Sequence, residues 1–266
     1  MKDYSKYECI LVEKEGKILT LTINRPAQYN AVDAQLHKEL SKIFRDIRDE
    51  NDVNVIVLTG AGKAFSAGGD LGLIQDFHCN KEAIQKIALE EAKKIIYDLL
   101  ELDKPIIAKV NGPAIGLGAT LALFCDIIIA SENATIGDPH VKVGVVAGDG
   151  GCVIWPLLVG MCKAKEMLLT GELLKAKEAE RIGLINKAVP AENLDKTVDE
   201  LAQKLADGAT QAINYTKIVM NKHLKFFTDL VLDLSLALEG HTFHSDDVKE
   251  AVDAMLEKRK PVFRGC

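Results

Sequence analysis

The chain has 266 residues, of which 48% are hydrophobic and 27% are charged, and its formal net charge is −6 at pH 7. This length is enough to bury one large hydrophobic core, and the composition is that of an ordinary globular protein. The acidic balance, with no basic stripe interleaved with aromatic residues, argues against nucleic acid as a partner.

The targeting and redox features predict a cytoplasmic protein without a metal site. The first residues, MKDYSKYE, lack the apolar segment of a signal peptide. The longest apolar run, residues 119–130, is too short to cross a membrane. The six cysteines form no CxxC pair and no metal-type spacing with histidine. We therefore expect reduced thiols, no metal, no membrane partner and a cytoplasmic location.

The first two-thirds of the chain alternates between strand and helix signals. Strands are predicted where apolar residues alternate or β-branched residues run together, at residues 7–12, 17–23, 53–58, 106–110, 127–130, 134–136 and 185–189. Helices are predicted from apolar residues at helical spacing, at 32–47 and 81–101, and from a buried apolar run at 114–124. From about Leu194 onward, strand signals stop and the spacing predicts three or four helices.

Two segments share the order strand, glycine-rich turn and helix start. Residues 53–71 end in a glycine turn that leads to Asp70, which is well suited to cap a helix. Residues 105–131 have their turn around Gly116 and Gly118. Two helix N-termini that direct backbone N–H groups at one point form an anion or oxyanion site. The pairing therefore predicts stabilisation of a developing negative charge.

Four segments in this order resemble the crotonase (enoyl-CoA hydratase/isomerase) superfamily: AFSAGGDL at 64–71, KPIIAKVNGPAIGLGATLALFCDIIIAS at 104–131, LTGELLKAKEAERIGLINKAV at 169–189 and EKRKPVF at 257–263. The resemblance covers nearly the whole chain. It implies an α/β fold, a crotonase-type spiral of ββα repeats with a C-terminal helical region. Residues 1–195 would form the spiral core and residues 196–266 a helical oligomerisation region, with homotrimers or dimers of trimers as the assembly.

The resemblance also implies a site in which two backbone N–H groups hold the oxygen of a thioester as it becomes an enolate. The donors would be Gly69 and Leu117, the central residue of the glycine triplet, where a main-chain donor tolerates any side chain. Coenzyme A is expected as part of the substrate, with no prosthetic group. The residues expected to contact the substrate are Arg25, Lys63, Ala64, Ala67, Asp70, Gly116 and Lys260.

The acid and base residues depart from those of the hydratases in this superfamily, which use two glutamates. Thr120 stands at the first glutamate position and cannot act as a base near neutral pH. His140 stands at the second, where an imidazole suits proton transfer, and Asp149 would orient it. The stretch PHVKVGVVAGDGGCVIWP at 139–156 resembles the C–C bond hydrolases of the superfamily, of the 6-oxocamphor hydrolase type. Glu239 would match a further acidic residue of that group.

The sequence therefore favours hydrolytic C–C cleavage of an acyl-CoA or β-dicarbonyl substrate, by water activated at His140 and with an enolate as the departing group. One alternative is the hydration or isomerisation of an enoyl-CoA by the same His140/Asp149 pair. A second alternative is a catalytically weak protein that binds coenzyme A or serves in an assembly. Without any catalytic role, Asp149 would cap a helix and His140 would be a packed loop histidine.

Overall fold

The computed structural model describes residues 2–265, with Lys81 described in its backbone only. Its strands are β1 (Ile10–Glu15), β2 (Ile18–Ile23), β3 (Val55–Gly60), β4 (Ile106–Val110), β5 (Ala114–Ile115), β6 (Ile127–Ser131), β7 (Thr135–Gly137), β8 (Leu174–Lys175) and β9 (Lys187–Val189). Its helices are α1 (Ala34–Arg48), α2 (Leu71–Cys79), α3 (Lys81–Ala83), α4 (Ala92–Glu101), α5 (Leu117–Leu123), α6 (Gly151–Thr170), α7 (Ala176–Arg181), α8 (Leu194–Ala206), α9 (Thr210–Thr242) and α10 (Asp246–Leu256). The α/β fold with a C-terminal helical region is confirmed.

The larger sheet has six strands in the order β1-β2-β3-β4-β6-β9. Strands β1 and β2 form the predicted antiparallel hairpin, and the remaining pairings run parallel. Every residue of β3 is buried, because helices cover both faces of the sheet. On one face, Leu194 and Val198 of α8 pack against Val55 and Ile107. On the other face, α1 and α4 contribute to the main hydrophobic core.

A smaller sheet, in the order β5-β7-β8, stands beside the first and links the two glycine turns. Ser66 and Ala114 form an isolated parallel bridge, and Ile115 N donates a hydrogen bond of 3.0 Å to Ser66 O. The predicted helix at 114–124 therefore begins only at Leu117, because residues 114 and 115 pair as a strand with β7. This pairing sets the start of α5 beside the start of α2.

The predicted helix over residues 81–101 is interrupted. A π-helical stretch, Ile84–Glu91, separates α3 from α4. The wider turns of a π-helix shift the faces on which the following side chains lie, and such stretches are frequent at functional sites. Glu91, the last residue of the stretch, is buried and points toward α1, where it contacts His37.

The C-terminal region forms three helices, α8 to α10, within residues 194–256. The longest, α9, has 33 residues and packs against α4 and α6. It also exposes large apolar side chains, namely Tyr215, Val219, Met220, Phe226, Leu230 and Leu234. The oligomerisation role and the domain boundary at residue 195 stay predictions.

Two expectations concern the chain as a whole. Across residues 2–265, none of the helices combines the length and apolar character that a membrane span requires. Five of the six cysteines are free thiols, and Cys266 lies outside the described residues.

Candidate active site

A cavity of about 220 Å³ opens between the two glycine turns and the C-terminal helices. Seven residues singled out from the sequence line it, namely Ala67, Gly69, Gly116, Leu117, His140, Asp149 and Glu239. Much of the remaining wall is apolar, formed by Leu71, Leu73, Ile74, Phe77, Val143, Val145 and Phe243. The cavity therefore joins a compact polar cluster to an apolar chamber, which is the usual composition of a small-molecule site.

The backbone N–H groups of Gly69 and Leu117 are both available to a ligand. Leu117 is the first residue of α5, so its N–H has no acceptor within the helix. Gly69 precedes Asp70, the N-cap residue of α2. Neither N–H donates a hydrogen bond to another of the residues 2–265. The two segments touch, because a Cβ on Gly68 would lie 2.7 Å from Ile115 O. This arrangement suits an oxyanion site.

Gly116 brings the histidine next to this site. Its φ of 53° and ψ of −123° lie in a region that L side chains rarely adopt. A Cβ at this position would also stand 3.3 Å from Cε1 of His140 and 3.7 Å from its Nε2. Glycine is therefore required here by backbone conformation and by space. The imidazole of His140 packs directly on the turn that presents the Leu117 N–H.

The carboxylate that orients His140 is Asp138, which corrects the prediction of Asp149. Oδ1 of Asp138 accepts a hydrogen bond from Nδ1 of His140. An ionised carboxylate can only accept, so Nδ1 carries the proton and Nε2 faces the rest of the cluster. Asp138 is buried and lies two residues before His140, just ahead of the 3-10 turn that spans His140–Val143. Asp149 lies across the ring, with Oδ2 3.7 Å from Nε2.

Two more residues complete the cluster around Nε2. Thr120 Oγ1 donates a hydrogen bond of 3.0 Å to Oδ1 of Asp149, which fixes that carboxylate. Glu239 of α9 places its Oε1 3.9 Å from Nε2 of His140, and its buried Oε2 has no partner among residues 2–265. Separations of 3.7 and 3.9 Å are too long for direct hydrogen bonds. They suit one water molecule shared by the three groups.

The electrostatics of the cluster favour its protonated forms. Burial alone would lower the pKa of His140, but Asp138, Asp149 and Glu239 outweigh it and hold that pKa well above its usual range. Burial raises the pKa of Asp149, against the opposing charge of His140. Burial also raises the pKa of Glu239 well above its usual range, and the charge of Asp149 adds to this. These shifts favour the imidazolium form of His140 and the protonated forms of Asp149 and Glu239.

Three residues of the cluster lie as close together as metal ligands do, although the sequence predicts no metal. Ligand-type atoms of Asp138, His140 and Asp149 all lie within 4.8 Å of one another. Both ring nitrogens of His140 already face a carboxylate, so an ion-paired histidine explains why these three side chains lie together. We assign no metal to it.

The structure does not bring the other predicted substrate residues to the walls of the cavity. Arg25 pairs with Asp33 at 2.8 Å and lies 4.0 Å from Oδ2 of Asp70. Asp70 caps α2, with Oδ1 accepting a 2.9 Å hydrogen bond from Gly72 N. Lys63 is exposed, and the fully buried Ala64 offers its carbonyl to neighbouring side chains.

Lys260 lies on the exposed C-terminal tail, also away from the cavity wall. A role for these residues in binding coenzyme A outside the cavity stays a prediction.

Sequence reasoning missed three residues in and around the site. Asp138 could have been identified from the sequence, because its position two residues before His140 suggests a contact between the two side chains. His37 lines the cavity, and its Nδ1 lies 3.1 Å from Oε2 of Glu91. Nothing in the spacing along the chain pointed to that pair, which joins residues 54 positions apart.

Known proteins resemble this chain over almost its full length. The family described as Enoyl-CoA hydratase/isomerase matches residues 13–266. A short-chain-enoyl-CoA hydratase of Clostridium acetobutylicum is 38% identical over 252 residues, which cover 94% of this chain and 95% of the relative. A crotonyl-CoA hydratase of Syntrophomonas wolfei is 36% identical over 259 residues, covering 97% and 98%.

A solved structure of an enoyl-CoA hydratase/isomerase from Mycobacterium paratuberculosis superposes with a TM-score of 0.89 at 35% identity, covering 92% of this chain and 97% of that one. These likenesses confirm the predicted crotonase-type fold. They do not support the favoured C–C hydrolysis, since the relatives named here are hydratases and isomerases. The hydratase/isomerase alternative fits them better.

Proposed function

Because the chain belongs to the enoyl-CoA hydratase/isomerase family, we propose that it hydrates or isomerises an enoyl-CoA through an enolate held by the N–H groups of Gly69 and Leu117. One observation carries this proposal. Nε2 of His140, Oδ2 of Asp149 and Oε1 of Glu239 surround one small volume, and the His140 ring packs on the turn that ends at Leu117. A water molecule held there would stand beside a polarised thioester.

The elevated pKa of His140 makes its imidazolium the acid of the reaction, and the Asp149 carboxylate the base. In hydration, the water oxygen adds to the β-carbon and its proton passes to Asp149. Negative charge moves to the thioester oxygen, where two backbone donors stabilise it. Nε2 of His140 then protonates the α-carbon, which gives the 3-hydroxyacyl thioester. The proton on Asp149 returns to Nε2 through the next water molecule.

This assignment differs from the sequence-based expectation, in which His140 takes the proton from water. Asp138 is responsible for the change, because its carboxylate on Nδ1 favours the imidazolium. A carboxylate with a raised pKa is a better match to neutral pH as a base.

The test measures water addition to crotonyl-CoA by product mass and by loss of the enoyl chromophore. We expect turnover by the unmodified protein and a loss of at least about 100-fold in His140→Gln, which removes a positioned acid. The matched control is His223→Gln, on an exposed position of α9, and it should keep full activity. Equal activity of the two variants would overturn the role of His140. Tight binding of coenzyme A without any turnover would favour the alternative of a catalytically weak protein that binds coenzyme A.

C–C bond hydrolysis is a second candidate, and one observation favours it. Three carboxyl groups surround a single imidazole, where the hydratases to which the sequence was likened use two glutamates. The same water could attack the ketone of a β-dicarbonyl, and the departing carbon would leave as the enolate. Ring opening of a cyclic β-diketone forms a new carboxylic acid and releases a proton, whereas hydration does not. Proton release in weak buffer, lost in His140→Gln, separates the two reactions.

Self-association is also proposed, as a homotrimer or a dimer of trimers. The apolar side chains along α9 support it, since Val219, Leu230 and Leu234 are each more than 60% exposed. Light scattering would test the assembly, and Leu230→Lys with Leu234→Lys should weaken it. Unchanged mass in that double variant would place the interface elsewhere.

A further inference from the structure

We propose that an aromatic pair, Phe77 and Phe243, closes the apolar end of the cavity and limits the substrate to acyl groups of about six carbons or fewer. This inference deepens the proposed function and rests on it, because it assumes that the apolar chamber receives the acyl chain. It assigns the choice of chain length to two side chains that take no part in the reaction itself.

The two rings form one fixed wall. Phe77 lies on α2 and Phe243 directly follows α9, and their ring centroids are 4.7 Å apart with the ring planes inclined at 60°. Both residues are only 5% exposed. An edge-to-face contact of this kind adds stability beyond the burial of apolar area. Nδ1 of His78 lies 3.2 Å from the carbonyl oxygen of Phe243, so it donates a hydrogen bond that ties α2 to the end of α9.

The position of the pair relative to the reacting groups is set by the same two helices. On α9, the N–H of Phe243 donates a 3.1 Å hydrogen bond to the carbonyl oxygen of Glu239, so the two residues lie one turn apart. A helix rises by about 6 Å over that turn. On α2, Leu71 starts the helix two residues after Gly69, and a rise of about 9 Å separates it from Phe77. Each helix therefore carries one member of the wall at a fixed distance from the reaction site.

These spacings leave room for a short chain only. A carbon atom packs at about 3.5–4.0 Å from a ring carbon. An extended chain advances about 3.3–3.6 Å over three bonds, so roughly four bonds lead from a thioester carbon beside Gly69 to contact with Phe77. The volume agrees, because a cavity of about 150 Å³ holds the six carbons of benzene. The 220 Å³ here must also hold the thioester carbonyl and a water molecule.

Packed side chains back the two rings. Ile84 and Val248 belong to the same buried apolar cluster as the rings, but they do not line the cavity. Gly240 of α9 approaches Ile84 so closely that an added Cβ would stand 3.1 Å from its Cγ2. An interior packed in this way does not accept further methylene groups without strain. A longer acyl chain would therefore have to displace one of the rings.

The experiment measures equilibrium binding of butyryl-, hexanoyl-, octanoyl- and decanoyl-CoA to the full-length protein. Each methylene buried below the limit should tighten binding about four-fold, so hexanoyl-CoA should bind more tightly than butyryl-CoA. Octanoyl-CoA should bind about ten-fold more weakly than hexanoyl-CoA, because its last carbons press on the rings. Decanoyl-CoA should bind no better than octanoyl-CoA.

Two variants test whether the rings set this limit. Phe77→Leu and Phe243→Leu should each let octanoyl-CoA bind at least as tightly as hexanoyl-CoA, and binding of butyryl-CoA should stay nearly unchanged. The matched control is Phe44→Leu, which makes the same change at a fully buried position of α1 outside the cavity wall and should keep the penalty on octanoyl-CoA. Circular dichroism checks that each variant is folded, and the length series of the unmodified protein tests the limit without any variant.

Several outcomes would overturn the inference. One is octanoyl-CoA bound by the unmodified protein as tightly as hexanoyl-CoA. Another is a penalty that persists in both folded leucine variants of the pair, or that also disappears in Phe44→Leu. Turnover of the matching 2-enoyl thioesters separates this inference from the proposed function. A length limit in binding without turnover at any length would reject the proposed function and keep the limit, whereas equal kcat/KM at all lengths would do the reverse.

Discussion

Thr120 Oγ1 donates a 3.0 Å hydrogen bond to Oδ1 of Asp149, and both side chains are buried. Thr120 stands where the resemblance places a catalytic glutamate, and it cannot replace that group as a base. Instead, it holds a carboxylate that arrives from 29 residues further along the chain. In the proposed mechanism, the base therefore lies on a different element from the one on which the resemblance places it, and Thr120 serves as a positioning residue.

Thr120→Val should lower kcat by roughly 10- to 100-fold with little change in KM, because a hydrogen bond to a charged acceptor contributes about 1.5–3 kcal/mol. The hydroxyl lowers the pKa of Asp149, so its loss should move the acidic limb of the pH–rate profile to higher pH. Steady-state kinetics between pH 5 and 9 would measure both effects. Thr120→Ser keeps the hydroxyl and should keep the profile. An unmoved limb in the valine variant would contradict Asp149 as the base.

Asp138→Asn should lower the pKa of His140, since it removes the carboxylate on Nδ1 that helps to hold this pKa high. Imidazole NMR can follow the titration directly and does not depend on turnover. We expect the titration midpoint of His140 to fall by about one pH unit or more, which is typical for loss of an adjacent opposite charge. His223, exposed on α9, serves as the internal reference. An unchanged midpoint would mean that Asp138 does not govern the ring.

Glu239→Gln should change how stability depends on pH. The folded pKa of Glu239 lies well above the ordinary 4.5, so the folded protein holds a proton that the unfolded chain has lost. Its contribution to stability is therefore complete below about pH 4.5 and is lost as pH rises through the folded pKa. The slope is about 1.4 kcal/mol per pH unit within that window.

Glutamine mimics the protonated acid and should be free of this loss. In thermal unfolding, the stability of the variant relative to the unmodified protein should be higher at pH 8 than at pH 5. Glu200→Gln, at a side chain that is 68% exposed, should show no such gain. Parallel curves for Glu239→Gln and the unmodified protein would count against a buried, protonated Glu239.

Gly116→Ala should abolish most activity, because its Cβ would press on the His140 ring at 3.3 Å. Gly16 in the hairpin turn is a matched control, with a φ of 56° and no heavy atom within 4 Å of an added Cβ. Gly16→Ala should lose about 1–2 kcal/mol of unfolding free energy from the positive φ, and Gly116→Ala should lose at least as much, because its ψ of −123° lies outside the left-handed helical region and its Cβ is crowded. Activity should fall only in Gly116→Ala, and calorimetry with kinetics would show this. Similar kinetics for both would indicate that the turn does not position the histidine.

The sequence by itself determined the alternation of strands and helices, the two glycine turns and the positions of His140 and Asp149. These features depend on local rules, since side-chain periodicity, proline and glycine act within a few residues. Even so, local patterns did not show the π-helical stretch or the strand at residues 114–115, because both depend on packing against distant elements.

The tertiary structure decided which groups meet. It placed Asp138 rather than Asp149 on Nδ1 of His140, buried Glu239 beside Nε2, and joined His37 to Glu91 across the chain. These contacts span up to 99 positions, and no spacing rule relates such residues. The pKa values of the cluster follow from burial and from carboxylates on three different elements. The sequence specifies the chemical group of each side chain, but the protonation state of that group depends on neighbours that only the fold brings together.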